Sequence, residues 1–190
     1  MSHATAPLYY EALPRQWREE RLVDVAELRT SNVDKKTHEG ELPVSLCNYV
    51  DVYYNDKITA DLAFMEASAS QTQIDKFNLR VGDVIITKDS ESADDIGIPA
   101  LVTETSPDLV CGYHLTVIRA DNENIIGPYL FYCLASRPSA HQFYLASNGV
   151  TRFGLTTSGT KNIRVALPTL PSQQKIADFL DRKTAQIDAL

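Results

Sequence analysis

Apolar positions along this chain keep short, changing rhythms. Leu13-Pro14-Arg15-Gln16-Trp17 reads as a turn with an aromatic anchor, and Leu22, Val25, Ala26 and Leu28 then recur at helix-like spacing. Across residues 42–52, Leu42, Val44 and Leu46 alternate and β-branched and aromatic residues follow, which predicts a strand, with Pro43 placing it near a sheet edge. Asn55-Asp56 is a turn. Residues 77–82 lead into Val84-Ile85-Ile86-Thr87, a run typical of a buried strand, and the polar, acidic residues 88–95 predict a loop. Leu101-Val102 is a further strand. Another comes from Tyr113, Leu115 and Val117 alternating with His114, Thr116 and Ile118.

Helical signals follow. Gly127-Pro128 places proline at a first helical position, residues 129–135 continue it, and a second helix is predicted over residues 139–147. Residues 148–161, rich in Gly, Thr and Ser, predict a loop of about 14 residues, long for a mere connection. Ile163, Val165 and Leu167 give a closing strand, and Pro168 and Pro171 bracket a stiff junction. Ser172 is the expected N-cap of a last helix. Its Ile176, Leu180, Lys183, Ile187 and Leu190 fall on a coiled-coil seam, either pairing with another helix or packing on the domain itself. The pattern runs to the last residue, as in the first turns of a longer helix. The expected fold is α+β: a twisted, mostly antiparallel sheet with surrounding helices, then a protruding C-terminal helix. Residues 1–170 are expected to form the domain and 171–190 the start of the helix.

Composition narrows the function classes. Hydrophobic residues make up 44% of the chain, enough for a buried core. No run of about 18 apolar residues exists to span a membrane. The N-terminus lacks the basic start and apolar run of a secretory leader. Cys47, Cys111 and Cys133 are odd in number and unpatterned, which predicts reduced thiols in a cytoplasmic protein and no zinc site. Charge is polarised within a net −7. Residues 1–123 hold 11 basic and 22 acidic side chains. Residues 124–177 hold no acid and five bases: Arg137, Arg152, Lys161, Arg164 and Lys175. Such a chain can offer one face that DNA tolerates while the rest repels it.

The long loop carries the candidate binding chemistry. Thr151, Thr156, Thr157, Ser158 and Asn162 suit phosphate contacts, Lys161 adds charge, and Arg152 suits bidentate contact with guanine. Gly149, Gly154 and Gly159 let backbone approach a phosphate. Lys88 is a second candidate, weakened by the acidic Glu91, Asp94 and Asp95 after it. Tyr49, Tyr53 and Tyr54 either contact DNA or pack across strands. Enzyme chemistry finds less footing. Cys111 and His114, three apart in an expected strand, point to opposite faces, and Cys133 and His141 sit in no diagnostic setting. His3, His38, His114 and His141 lack metal-ligand spacing. No phosphate-binding Gly loop and no Asn-Pro-Pro-aromatic motif occurs, so no cofactor is expected.

Two segments resemble the specificity subunits of type I restriction–modification enzymes. The stronger is the C-terminal run with Pro168, Pro171, Gln173-Gln174, Ile176-Ala177, Leu180-Asp181, Arg182-Lys183 and Ile187-Asp188-Ala189-Leu190, with Ser172 standing where many relatives have Glu. The other is Leu13-Pro14-x-x-Trp17. Gly82-Asp83-Val84-Ile85-Ile86-Thr87-Lys88 and Gly149-Val150-Thr151-Arg152-Phe153-Gly154-Leu155 match more weakly. The resemblance implies a non-enzymatic domain that reads one half of a split duplex DNA target. Thr151, Arg152, Gly154, Thr156, Lys161, Arg164 and Lys88 are the residues expected at the DNA. The implied partners are methyltransferase subunits, the restriction subunit through the complex, and another helix through the C-terminal seam. The chain would be a fragment of a two-domain subunit or a half-subunit that dimerises. Outside the resemblance stand a cysteine-dependent hydrolase built on Cys111 or Cys133, and a helix-mediated interaction protein with no DNA role.

Overall fold

The computed structural model describes residues 13–189. The readings made on residues 1–12, the leader and His3 among them, and on Leu190 lie outside the described residues. The chain starts in the expected turn, where the Trp17 N–H donates to the Pro14 carbonyl at 2.8 Å. Then come β1 (Arg18–Arg21), α1 (Leu22–Val25), β2 (Ala26–Thr30), β3 (Leu42–Cys47), α2 (Tyr49–Tyr53), β4 (Lys57–Ile58), β5 (Met65–Ala69) and α3 (Gln71–Phe77). The middle holds β6 (Val84–Thr87), β7 (Asp89–Ser90), β8 (Pro99–Val102), β9 (Leu109–Cys111) and β10 (Leu115–Ala120). The rest is α4 (Gly127–Leu134), α5 (Arg137–Ala146), β11 (Ser147–Gly149), β12 (Phe153–Leu155), α6 (Thr157–Lys161), β13 (Arg164–Leu167) and α7 (Leu170–Asp188).

The centre is a five-stranded sheet in the order β2-β10-β6-β8-β4, antiparallel except for the β4–β8 pair. It is covered on both faces, and side-chain alternation sorts its residues between two cores. Val84, Ile86, Leu101, Ile118 and Ala120 face one core, built with α1, α4, α5, β13 and the first turns of α7. Ile85, Ala100, Val102, Leu115 and Val117 face the other, built with α2, α3 and the three-stranded sheet β5-β3-β9. Among the described part of the acid-free stretch 124–177, nearly every element lies on the first side.

A buried ion pair marks the register of the central pair. Val84 stands opposite Ile118, and the next position brings Asp83 opposite Arg119. Arg119 donates from Nε and Nη2 to the Asp83 carboxylate at 2.8 and 2.7 Å and from Nη2 to the Asn78 carbonyl at 3.0 Å. Asp83 is 1% exposed, and Arg119 Nη1 is buried without a partner. Desolvation offsets much of the attraction in such a pair, so its main effect is to penalise a slipped register. Beside it, Gly127 at the start of α4 packs on Gly82: a Cβ at residue 127 would stand 2.0 Å from the Gly82 carbonyl oxygen. Only glycine fits there.

Several sequence expectations change. Residues 22–28 form a single helical turn and then β2, not one helix, because Ala26 and Leu28 are taken into the sheet. The strand expected over 42–52 stops at Cys47. Asn48 caps α2 in a reciprocal box with Asp51, and this local capping overrides the β propensity of Tyr49, Val50 and Val52. β3 is the central strand of its sheet, but β9 pairs only with Ser45, Leu46 and Cys47, so Pro43 keeps an edge-like position. Residues 148–161 are a hairpin, β11–β12, followed by α6, rather than a loop. Residues 57–77, where the sequence predicts no element, hold β4, β5 and a capped α3. The last helix starts at Leu170, three residues earlier than the Ser172 cap would allow, with proline tolerated in its first turn.

Gln173 fastens that helix to the domain. Its side chain is fully buried. Oε1 accepts from the Ile126 N–H at 3.0 Å, and Nε2 donates to the Asn124 carbonyl at 2.7 Å and the Pro168 carbonyl at 3.0 Å. Farther along, Asp181 accepts from Tyr132 Oη at 2.9 Å and stands 3.4 Å from Lys57 Nζ. Gln173→Leu would keep the volume and leave an amide and two carbonyls without their partner. It is expected to lower stability by about 2–4 kcal/mol in urea unfolding followed by circular dichroism. An unchanged midpoint would show that water replaces the amide.

Candidate functional site

The hairpin β11–β12 does not stand alone. β12 also pairs with β7, with Phe153 opposite Ser90 and Gly154 opposite Asp89, and the Leu155 N–H donates to the Lys88 carbonyl at 2.8 Å. The two segments read separately from the sequence, 148–161 and 88–95, are thus one three-stranded sheet. Its turn, residues 150–152, is tight. Gly149 has φ +150°, and a Cβ there would lie 2.0 Å from the Arg152 carbonyl oxygen. Val150 at the tip is 91% exposed, and Thr151 and Arg152 beside it are exposed as well.

Between this tip and α2 opens a cleft of about 570 Å³. Thr151, Arg152 and Glu91 line one side, and Tyr49, Tyr53 and Tyr54 the other. The tyrosines sit on and just after the capped helix, with Tyr49 and Tyr53 stacked at 5.4 Å and Tyr53 and Tyr54 edge-on at 4.9 Å. They belong to the cleft wall and not to the cross-strand packing weighed for them. Tyr53 Oη donates to Asp95 Oδ2 at 2.6 Å, and this bond to a carboxylate pushes its pKa up to about 12. Burial, then the charge of Asp95, also raises the Tyr49 hydroxyl.

At the floor, Asp89 is held from two sides. Lys88 Nζ lies 2.8 Å and His114 Nδ1 2.7 Å from its Oδ2. Partial burial would raise the Asp89 pKa, but the hydrogen bonds and charges of Lys88 and His114 outweigh it and the net shift is downward. Lys88 is therefore engaged within the protein. Thr156, too, is spent locally: its Oγ1 accepts from the Gly159 N–H at 3.0 Å and caps α6. Gly154 lies in β12 against Asp89. Lys161 is exposed at the end of α6, and Arg164 lies in β13, paired with β1 and bonded through its N–H to Gln142. The structure brings Thr151 and Arg152 into the cleft, sets Gly154 and Lys88 in its supporting sheet, and leaves Thr156, Lys161 and Arg164 outside its lining. Sequence reasoning missed Lys35, Glu91, Asp95 and His114 as cleft residues. The signal that could have found the helix carrying its aromatic wall is the pair Asn48-x-x-Asp51, which the strand reading of 42–52 passed over.

On α7, Ile176 packs against the domain core and Leu180 is half-buried, so the early part of the seam is partly spent at home. Lys183 is exposed, 5.9 Å from the centre of the Phe179 ring, while Phe179 and Ile187 are 51% and 66% exposed. Cys47, Cys111 and Cys133 are buried and free. Burial pushes the Cys133 thiol up to about 12 and the Cys111 thiol well above its usual range, opposite to what a nucleophile requires. No group of three or more His, Cys, Asp or Glu among the described residues is placed to hold a metal ion. No helix among them is long and apolar enough to cross a membrane.

Residues 14–190 match the family described as Type I restriction modification DNA specificity domain. The chain belongs to that family. A search of curated proteins finds no match. Solved structures agree with the fold. A chain from a study of complex assembly and conformational transition in the type I R-M system is 19% identical, with a TM-score of 0.66, and the match covers 99% of this chain and 42% of that one. The HsdS subunit from Thermoanaerobacter tengcongensis is 19% identical, with a TM-score of 0.61 and coverage of 99% and 41%. The type I restriction-modification S subunit from M. genitalium is 12% identical, with a TM-score of 0.58 and coverage of 95% and 42%. This specificity domain thus spans about two-fifths of the length of each neighbour and shares the α+β fold ending in a helix.

The Asp89 cluster gives a pH test of the cleft. Folding lowers this carboxyl's pKa, so its stabilisation is present above the ordinary Asp value of about 3.9 and is lost as pH falls through that value and the lower folded one. Thermal unfolding from about pH 5 to pH 2 should fall less steeply for Asp89→Asn than for the parent. Parallel curves would mean that Asp89 contributes no pH dependence.

Proposed function

We propose that this chain is one target-recognition domain that reads one half of a split duplex DNA target, with α7, from residue 171, as the start of a spacer and dimerisation helix. The observation that carries the reading is an exposed Arg152, whose side chain has no hydrogen bond or ion pair among the described residues, presented by a tight hairpin at the mouth of a cleft in a chain of the specificity family. A two-stranded ribbon fits the DNA major groove, where an arginine fork distinguishes guanine. The acid-free stretch 124–177, with Lys161 and Arg164, supplies positive charge for phosphate contacts. In this reading the chain supplies recognition only. Methyl transfer belongs to the modification subunit it positions, and cleavage to the restriction subunit brought in through the complex. The coverage of two-fifths of each neighbour fits one such domain out of two.

Gel-shift titrations against duplex targets separate reading from holding. Arg152→Ala should weaken specific binding by about 1–3 kcal/mol and narrow the gap between target and random DNA. Lys161→Ala should weaken binding to all duplexes alike and lower the magnitude of the salt slope by about one. If both variants bind target DNA like the parent at moderate salt, this face is not the DNA surface.

Partner contact through α7 is tested at Ile187, which is exposed on the domain. Ile187→Lys should keep the parent's thermal midpoint and abolish self-association in light scattering. Loss of folding would instead place the helix end in the domain's own core.

A further inference from the structure

The cleft holds carboxylates and cations in two different states. Asp89 is bound by Lys88 and His114, and Asp95 by Tyr53. Glu91, Arg152 and Lys35 remain, all exposed and all lining the cleft, and among the described residues no side-chain hydrogen bond or ion pair is formed by any of them. Phe153 stands opposite Ser90 at the last pair of β12 and β7, and Arg152 and Glu91 are the residues just beyond that pair, outside the strands. Opposite charges brought to adjoining strand ends attract each other. Here they do not meet within ion-pair distance, and they present a donor fork and an acceptor side by side at the cleft mouth.

A carboxylate repels phosphate, so Glu91 is a poor backbone contact and a good acceptor for an exocyclic amino group. In the major groove a G·C pair shows acceptors, guanine O6 and N7, on one base and the cytosine N4 amino donor on the other. An A·T pair shows its amino donor between the adenine N7 and thymine O4 acceptors, and lacks the paired O6 and N7 acceptors that an arginine fork fits. Building on the DNA-reading role proposed above, we infer that Arg152 and Glu91 together read one G·C base pair, with Arg152 on guanine and Glu91 on the cytosine amino group. Lys88 and His114 serve this by engaging Asp89 beneath them, which leaves Glu91 as the cleft carboxylate free to accept.

The test uses the full chain. A preferred duplex is first selected from a randomised pool, and every base pair of it is then exchanged singly. The expected result is a G·C pair whose exchange for A·T weakens the parent's binding by about 10- to 100-fold. Arg152→Ala and Glu91→Ala should both flatten the preference at that same pair, with melting temperatures like the parent's. Arg152→Lys, which keeps the charge and loses the fork, should flatten it as well while retaining the parent's salt slope. Replacement of that guanine by 7-deazaguanine should weaken the parent and leave Arg152→Ala unaffected. If the chain selects a sequence but the two alanine variants relax different pairs, or neither relaxes a G·C pair, this inference is overturned and DNA reading stands. If the pool yields no preferred sequence, the DNA-reading role fails, and this inference with it.

Discussion

The central sheet is buried on both faces, and the rest of the molecule follows from that. A strand with one wet face already resists a one-residue slip, because the slip turns its buried set of side chains to solvent. In β6, β8 and β10 both sets are committed, to two different cores. A shift of one residue would exchange the cores' contents along each strand. The Asp83–Arg119 pair sits at the end of this arrangement as a check on alignment, since a shifted strand would leave a buried charge unpaired. With the alignment fixed, β6 delivers Lys88 and Asp89 from its end, and β10 holds His114 just before its start, so the floor of the cleft inherits its geometry from the sheet.

Long or strongly marked elements were legible in the sequence. Val84-Ile85-Ile86-Thr87, the alternation through Val117, the proline-led α4 and the closing strand β13 all appear where their patterns predict. Elements whose stability is supplied from outside were not. Ser147–Gly149 and Phe153–Leu155 are three residues each, too short for a period, and exist as strands because β7 provides a third partner. Residues 22–28 show helical spacing, yet hydrogen bonding to β10 captures Ala26 onward. At Tyr49 the reverse occurs: a local cap converts a β-rich stretch into a helix. In each case a specific hydrogen-bond partner, invisible to periodicity, decides the outcome.

The candidate site shows the same division. Arg152 and Thr151 were legible because an arginine among glycines and hydroxyls in an acid-free stretch stands out. Glu91 entered the sequence reading only as one of the acids that weaken Lys88 as a phosphate contact. The structure places Arg152 and Glu91 at the mouth of one cleft, just beyond the ends of β7 and β12. Charge counted along a chain describes the average environment of a large anion. It does not describe which single groups a ribbon places at a base edge, and there an acceptor is as useful as a donor.

Gln173 and Asp181 lie eight residues apart on one helix, about 12 Å along its axis. Both fasten it to α4 or to the segment leading into α4: one at Ile126, the other at Tyr132. A single attachment would act as a pivot and let the helix swing under load. Two attachments fix a direction as well as a point, and an ångström of slack at either tilts the axis by only about 5° over that span. A force on the exposed end near Ile187 is then carried as torque through α4 into the five-stranded sheet. The helix behaves as an outrigger bolted to the hull, and its bearing is set by the packed layer of α4 on the central sheet.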